Sequence, residues 1–136
     1  MLNTSYKEYM RSILQIYVKG SDEAFELYKT AFDATIGFQD IDEHGTVIHR
    51  ELDVCGQALA VGEAHDTTRA GGDKRFTGNT MQFCLQFGEG QEAKVRKAYE
   101  TLLEGSEIIT PFGELFFSSC GVELIDKYGV WWCLFV

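Results

Sequence analysis

An imidazole and two carboxylates recur at every second position in one stretch of this sequence. His49, Glu51 and Asp53 alternate with Arg50 and Leu52, and residues at this spacing lie on one face of a β-strand, about 7 Å apart. Such a row could bring an imidazole and a carboxylate to one proton or one ion, with His49 as the best general base in the chain. A polar stripe at a sheet edge or facing solvent explains the same residues. His49 and Glu51 are therefore candidate catalytic residues whose role the sequence leaves unknown.

A second set of candidates comes from strands in which apolar and polar residues alternate. The apolar half of each strand is needed to cover a helix, so the other half should line a cavity. Amides and aromatic rings suit a ligand that stacks and takes neutral hydrogen bonds. The same side chains could also simply fill a concave face and pair with each other. The predicted ligand-binding residues are Gln15, Tyr17, Gln82, Cys84, Trp131 and Cys133, with Gln86 and Phe135 on the same faces.

The remaining reactive residues give weaker signals. The four cysteines lie far apart without a C-x-x-C pair, which favours reduced, buried thiols over a zinc site or a disulfide framework. His44 falls in a predicted turn, where a solvated side chain is expected, and His65 opens a long connector. No P-loop, dinucleotide fingerprint, nucleophile elbow or H-E-x-x-H motif occurs. Most cofactor enzymes are thereby removed from consideration.

Composition and charge limit the partners. The 136 residues are 45% apolar, contain a single proline and carry a net charge of −9, which indicates a compact domain with a core. Nucleic acid is not an expected partner, since phosphate contacts need a basic surface. A neutral or cationic small molecule fits better. The N-terminal dozen residues lack the apolar core of a signal peptide, and no stretch reaches the roughly 18 apolar residues of a membrane span. We therefore expect a cytoplasmic protein without membrane contacts.

The elements that must position these residues occur twice. A strand, an amphipathic helix and three more strands are predicted for residues 13–63, and the same order returns in residues 81–136. The first strands match as ILQIYVKG and MQFCLQFG, and the last strands as DVCGQAL and DKYGVWW. A duplicated module of this kind predicts two similar sheets, and ligands usually bind in concave surfaces that such sheets provide.

Two further segments and one turn complete the prediction. Residues 1–12 form an N-terminal extension, and residues 64–80 form a connector that is either a binding lid or a plain linker. Arg69, Lys74 and Arg75 on this connector could cap an anionic substrate or simply remain solvated. In the second module, strands are predicted at 107–110 and 114–120, with a turn at Phe112-Gly113 between them.

Two short motifs resemble a known family. The helix text AFELYKTAF (residues 24–32) is similar to the pattern A-x-x-F/Y-Y-x-x-A/L-F, and DKYGVWW (residues 126–132) is similar to D-[KR]-[FY]-G-[VH]-x-W. Both belong to the PhnB-like branch, often labelled 3-demethylubiquinone methyltransferase-like, of the glyoxalase/bleomycin-resistance (vicinal oxygen chelate) superfamily. The resemblance covers residues 13–136. It implies an α+β fold in which two βαβββ modules form curved mixed sheets around a cavity.

The resemblance also implies where a metal would bind. In metal-using relatives, four ligands come from the first and last strands of each module, and the corresponding positions here are Ile13, a residue near Ala60, Gln82 and Cys133. Only Gln82 and Cys133 could donate. An amide and a thiol do not make a dependable site for a catalytic cation, which normally needs at least three protein ligands. We therefore expect no metal and no other cofactor.

Two functions of different classes remain open. The sequence favours a small-molecule binding protein without a catalytic metal, and the resemblance implies a homodimer. The alternative is a metal-dependent lyase, isomerase or dioxygenase-type enzyme in which His49, Glu51 or Glu63 joins Gln82. A one-residue error in strand register would reverse every predicted face, which keeps this alternative open.

Overall fold

The helices and strands follow the predicted order twice. A computed structural model of the protein describes residues 10–64 and 80–136. The first module contains β1 (Ile13–Val18), α1 (Ser21–Ala31), β2 (Thr35–Ile41), β3 (Val47–Val54) and β4 (Gln57–Glu63). The second contains β5 (Phe83–Gln86), α2 (Glu92–Leu102), β6 (Glu107–Leu115), β7 (Ser118–Ile125) and β8 (Trp131–Phe135). The predicted α+β fold of two βαβββ modules is confirmed. Neither helix of the described ranges is long and apolar enough to cross a membrane.

Each module folds into a four-stranded sheet with the same strand order. The orders are β1-β4-β3-β2 and β5-β8-β7-β6. In both sheets the first strand pairs in parallel with the last, and the other pairs are antiparallel. A parallel pair needs a long crossover connection, which the helix and the two following strands supply. The chain divides into two compact units that correspond to these sheets, except that Thr30–Phe32 group with the second.

Helix α1 covers one face of the first sheet. Ile16 on β1 is buried, whereas Gln15 is exposed, as the alternating sequence predicts. Phe25 of α1 is 3% exposed and lies under the guanidinium of Arg50 on β3, 4.5 Å from the ring centroid. Arg50 also forms a salt bridge with Asp22 in the first turn of α1, with Nη2 2.6 Å from Oδ1. The opposite side of this sheet, which α1 does not cover, is called the first helix-free face and carries Gln15, Tyr17, His49, Glu51 and Ala60.

Helix α2 covers the second sheet in the same way. Its buried residues Val95, Ala98 and Leu102 pack towards β7 and β8. There Trp132 is fully buried, and its ring centroid lies 5.5 Å from that of Phe83 on β5. The strand residues that alternate with these buried ones point to the other side of the sheet, which is called the second helix-free face. It carries Cys84, Thr110, Glu123, Trp131, Cys133 and Phe135, with Gln82 just before β5.

The predicted turn at Phe112-Gly113 is wrong. Strand β6 continues to Leu115, which pairs with Ser118 across a two-residue turn, so β7 runs from Ser118 to Ile125 rather than ending at Cys120. The register shifts on both sides of Gly113, whose φ of 153° is one that glycine adopts readily. The Pro-Phe-Gly sequence therefore lies at a β-bulge within one strand. The turn was predicted because glycine marks turns and bulges alike.

The DKYGVWW motif is held together by its aspartate. Asp126 is 3% exposed, and its Oδ1 accepts hydrogen bonds from the backbone N–H groups of Tyr128 and Val130 at 2.9 and 3.0 Å. Its Oδ2 accepts the indole N–H of Trp132 at 2.8 Å. One carboxylate thus fixes the turn between β7 and β8 and orients the largest buried side chain of the second sheet. The motif that carries the family resemblance is explained by this structural role.

Gly121 on β7 lies where no side chain fits. A Cβ atom there would contact Leu115 and would lie 2.8 Å from both the carbonyl oxygen of Leu134 and the Cβ of Phe135. We expect Gly121→Ala to lower the free energy of unfolding by about 2 kcal/mol, because strand β8 must move to admit the methyl group. Gly37→Ala is the control, since its added methyl group would lie no closer than 3.4 Å to any neighbour. Equal urea midpoints for the two variants would contradict this expectation.

Candidate functional site

The first helix-free face contains a buried carboxylate with two basic partners. Glu51 is 1% exposed, and Arg11 donates two hydrogen bonds to it, from Nη1 to Oε1 at 2.7 Å and from Nη2 to Oε2 at 2.9 Å. Nε2 of His49 lies 2.6 Å from Oε2. Burial acts to raise the pKa of Glu51, but the hydrogen bonds and charges of Arg11 and His49 outweigh it and hold the pKa below its ordinary value.

The structure brings His49 and Glu51 together, although Arg11 already engages both oxygens of the carboxylate. A bidentate guanidinium pair neutralises the charge that a substrate or ion would otherwise meet. A cavity lined by Arg11 and Glu51, but not by His49, has a volume of only about 140 Å³, compared with roughly 300 Å³ or more for a typical ligand site. The catalytic role of His49 and Glu51 stays a prediction, and their geometry matches a structural ion pair.

Asp53 does not join His49 and Glu51. Its Oδ1 accepts the backbone N–H of Gly56 at 2.6 Å and so holds the β3–β4 turn, in which Cys55 has a φ of 51°. The alternation along β3 correctly predicts that His49, Glu51 and Asp53 share one face of the sheet. Asp53 nevertheless stabilises the adjacent turn through this hydrogen bond, a common role of short polar side chains.

Gln15 and Tyr17 lie on the first helix-free face, as predicted from the alternation. Tyr17 is 63% exposed. Its ring passes close to Gly62, where an added Cβ would lie 3.1 Å from two ring carbons. The amide of Gln15 donates to the carbonyl of Ile16 at 3.2 Å. Both side chains are available to a ligand, and their role in binding stays a prediction.

The second helix-free face contains a half-buried carboxylate with neutral partners. Glu123 on β7 accepts a hydrogen bond from Nε2 of Gln82 at 2.7 Å through Oε1. Its Oε2 accepts the hydroxyl hydrogen of Thr110 on β6 at 2.6 Å. These two hydrogen bonds, from Thr110 first and then Gln82, hold the pKa of Glu123 below its ordinary value against the opposing effect of burial. Glu123 is therefore ionised at neutral pH.

The two glutamates occupy the same place in the repeat. Glu51 is opposite Ala60, which in turn is opposite Gln15. In the second sheet, Glu123 is opposite Cys133, which is opposite Cys84. Each sheet thus has a glutamate on its third strand in the row that crosses the helix-free face. The two glutamates differ in their hydrogen-bond donors. Arg11 donates to Glu51, whereas the neutral side chains of Gln82 and Thr110 donate to Glu123.

Predicted residues Cys84 and Cys133 also belong to this row, and Trp131 lies beside it. Cys84 is exposed, and its thiol donates to Oε1 of Gln82 at 3.6 Å. Burial raises the pKa of Cys133 to about 12, with further contributions from Cys84 and Glu123. Trp131 is half-buried, and its indole N–H has no hydrogen-bond partner among the described residues. The second helix-free face therefore combines an ionised acceptor, an indole ring and two thiols.

The residues at the family's metal positions do not fit a catalytic cation. Ile13 and Ala60 offer no side-chain donor atom, and both ends of the Gln82 amide are already hydrogen-bonded, Nε2 to Glu123 and Oε1 to the Cys84 thiol. A single thiol does not complete a site that normally needs at least three protein ligands. Within residues 10–64 and 80–136, no group of three or more His, Cys, Asp or Glu side chains could hold an ion.

Glu63, a ligand candidate for the enzymatic alternative, has another role. Its carboxylate accepts the backbone N–H groups of Gly20 and Ser21 at 3.2 and 2.9 Å. These groups lie at the start of α1, where backbone N–H groups lack partners within the helix. Glu63 thus caps a helix from the end of β4, a contact across more than forty residues of sequence.

Sequence reasoning missed Arg11, Thr110 and Glu123. Arg11 was assigned to the N-terminal extension, outside the repeated modules. Glu123 lay outside the predicted strand because β7 was placed too early. Its alternation with Val122 and Leu124 was a usable signal, since a polar residue between two buried apolar residues of a strand faces away from the helix. His65 and nearly all of the predicted connector 64–80 lie outside the described residues.

Solved structures share this fold. PA1353 from Pseudomonas aeruginosa has a TM-score of 0.73 at 18% identity, over 93% of this chain and 97% of that one. The PhnB protein from Bacillus cereus has a TM-score of 0.68 at 23% identity, over 94% and 98%. FosX from Listeria monocytogenes, a fosfomycin resistance protein complexed with Mn(II) and sulfate, has a TM-score of 0.60 at 12% identity, over 93% and 89%. No protein-family model and no curated protein matches the sequence.

The chain therefore has the fold of these structures, which is the fold that the resemblance to the glyoxalase/bleomycin-resistance superfamily predicts. The resemblance carried by the helix text and by the DKYGVWW ending is confirmed at the level of fold. What each of these proteins binds or catalyses is a property of that protein, since low identities of this kind describe a shared architecture rather than a shared site.

Proposed function

We propose that this protein binds a small molecule with a positively charged or hydrogen-bond-donating group on its second helix-free face, without a catalytic metal. The observation that carries the proposal is Glu123. It is an ionised, half-buried carboxylate whose hydrogen-bond partners are an amide and a hydroxyl. No cationic side chain of the described residues lies in ion-pair distance of it, although Glu51 at the equivalent position has Arg11.

The charge on Glu123 favours a cationic ligand. A partly desolvated carboxylate attracts a cation more strongly than an exposed one does, because the local dielectric is lower. Its two neutral donors occupy one lone pair on each oxygen and leave acceptor capacity on both. The net charge of −9 on the whole chain favours the same class of ligand.

Aromatic groups around Glu123 favour a planar ligand. Trp131 and Phe135 lie on β8 on either side of Cys133, and hence on the same face. The ring of Trp131 is half-buried, and its indole N–H is itself buried, so a ligand would contact the ring. Aromatic side chains stack on planar groups and on cations. A planar aromatic cation therefore matches the charge and the aromatic side chains of this face.

The test uses three planar probes of different charge, namely ethidium, neutral phenanthridine and pyrenesulfonate. We expect the order of affinity cation, neutral molecule, anion. We expect Glu123→Gln to weaken ethidium binding about tenfold, a loss of about 1.4 kcal/mol, and to leave phenanthridine binding unchanged. Isothermal titration calorimetry measures both. Glu26→Gln, at an exposed position of α1, is the control because it changes the net charge equally.

Two results would contradict the proposal. One is an ethidium affinity that Glu123→Gln leaves unchanged or that is no higher than the affinity for the anion. The other is near-stoichiometric divalent metal that survives dialysis, measured by inductively coupled plasma mass spectrometry, together with loss of binding after treatment with a chelator. The second result would favour the metal-dependent enzyme.

We further propose that the protein is a cytoplasmic homodimer. Exposed apolar side chains lie on the edge strands β2 and β6, including Ile36, Ile41, Ile108 and Ile109. An exposed apolar edge strand is a surface that a second copy could cover. Sedimentation velocity at micromolar concentration tests this assembly, and a monomer under these conditions would contradict it.

A further inference from the structure

Two cysteines are direct neighbours on the second helix-free face. Cys84 on β5 and Cys133 on β8 are opposite each other in the parallel strand pair, although they are 49 positions apart in sequence. Neighbouring strands lie about 4.8 Å apart. This spacing falls within the range of about 4.4 to 6.8 Å between the Cα atoms of a disulfide. Residues opposite each other in a parallel pair also project to the same side of the sheet.

The other two cysteines are placed differently. Cys55 is exposed in the β3–β4 turn of the first sheet. Cys120 on β7 is buried and shares its strand parity with Val122 and Leu124, which α2 covers. Burial raises the pKa of Cys120. Among the described cysteines, Cys84 and Cys133 therefore form the one pair whose register favours a bond.

We propose that Cys84 and Cys133 are a reversible oxidation site, which a peroxide converts into a disulfide. The exposed Cys84 thiolate attacks the peroxide, so that its O–O bond breaks, an S–O bond forms, and water or an alcohol leaves after protonation. The Cys133 thiol then attacks the sulfenic acid of Cys84. An S–S bond forms, the S–O bond breaks, and the hydroxide leaves with the thiol proton as water. The sulfurs lose two electrons in total, and the peroxide gains them.

The order of the two steps follows from burial and charge. Cys84 is exposed and meets the peroxide first. Cys133 is 2% exposed, and its pKa is raised to about 12, so it reacts slowly as the second thiol at neutral pH. Raising the pH increases its thiolate fraction. Disulfide formation should therefore be faster at pH 9 than at pH 7.

The experiment oxidises the 136-residue chain with hydrogen peroxide at pH 8 in a Cys55→Ser background, which removes the exposed thiol of the first sheet. We expect non-reducing peptide mapping to find the Cys84–Cys133 disulfide within single chains, with the loss of two titratable thiols and their return after dithiothreitol. In Cys133→Ser, dimedone should instead trap a sulfenic acid at Cys84. In Cys84→Ser, neither product should form.

Several results would overturn the proposal. These are oxidation of Cys84 to sulfinic acid without any bond to Cys133 at pH 7 to 9, a disulfide to Cys120, and a disulfide between chains at Cys84. A dimedone adduct at Cys84 that is equally abundant with and without Cys133 would also overturn it, because Cys133 would then not react with the sulfenic acid. Circular dichroism of both serine variants separates these results from a loss of folding.

Discussion

Replacing Asp126 with alanine is expected to lower the free energy of unfolding by about 3 to 4 kcal/mol. The carboxylate accepts three hydrogen bonds, two from the backbone of the β7–β8 turn and one from the indole of Trp132. Alanine leaves these donors without an acceptor, and a buried donor without a partner costs about 1 to 3 kcal/mol. Urea unfolding followed by tryptophan fluorescence measures the loss, which should appear as a lower midpoint.

A second turn in the same chain provides a matched control. Asp42 accepts the backbone N–H groups of His44 and Thr46, both at 2.8 Å, and both hydrogen bonds are exposed. The backbone of this turn repeats that of the Asp126 turn, with Gly45 in place of Gly129. Water can replace the carboxylate at an exposed turn. Asp42→Ala should therefore cost less than about 1 kcal/mol.

The contribution of the indole bond can be isolated. Asp126→Asn keeps one acceptor oxygen for the turn but can present an amide N–H to Trp132. We expect it to cost about 1 to 2 kcal/mol, and this cost should shrink in a Trp132→Phe background. Additive effects of Asp126→Asn and Trp132→Phe would show that the hydrogen bond between the two side chains does not contribute. Equal costs for Asp126→Ala and Asp42→Ala would show that the turn alone matters.

Replacing Glu51 with alanine is expected to lower the free energy of unfolding by about 2 to 3 kcal/mol. Removal of one member of a buried ion pair leaves the other without compensation, at a cost of about 3 to 5 kcal/mol when both are buried. Here the side chains of Arg11 and His49 are each 28% exposed, so water recovers part of that cost. Glu51→Gln, which keeps a hydrogen-bond acceptor, should cost less. A loss below about 0.5 kcal/mol for Glu51→Ala would contradict the structural role of the ion pair.

The same ion pair makes the free energy of unfolding depend on pH below about pH 4.5. The pKa of Glu51 in the folded protein lies below its ordinary value of 4.5, so its contribution is present in full above that value. It is lost as the pH falls through the folded pKa. We expect the wild type to lose stability more steeply than Glu51→Gln below pH 4.5. Glu123 has a pKa shift of the same direction, but it is present in both proteins and cancels in the comparison.

Strand faces were predictable because they depend on local alternation. The period of two in Ile13–Val18 assigned Gln15 and Tyr17 to the face away from the helix, and the same argument assigned Cys84 and Cys133. These assignments need no knowledge of which strand pairs with which, because the pleat sends successive side chains to opposite sides. The element order followed from the repeat in the same way.

The error in the second module has a local cause. A Pro-Phe-Gly sequence is compatible with both a turn and a bulge. The pairing of β6 with β7 continues on both sides of Gly113, which makes it a bulge. The resulting shift removed Glu123 from the predicted strand. Cross-strand pairing determines such a choice, because the backbone hydrogen bonds of the neighbouring strand are retained on both sides of the bulge.

The sequence by itself determined two repeated modules, the faces of β1, β3, β5 and β8, and the DKYGVWW ending, because these depend on neighbouring residues. Only the tertiary structure decided that Arg11 pairs with Glu51, that Glu63 caps α1 and that Cys84 is opposite Cys133. These contacts join residues 40 or more positions apart. The pairing of strands that are distant in sequence sets them, and no local spacing in the chain encodes that pairing.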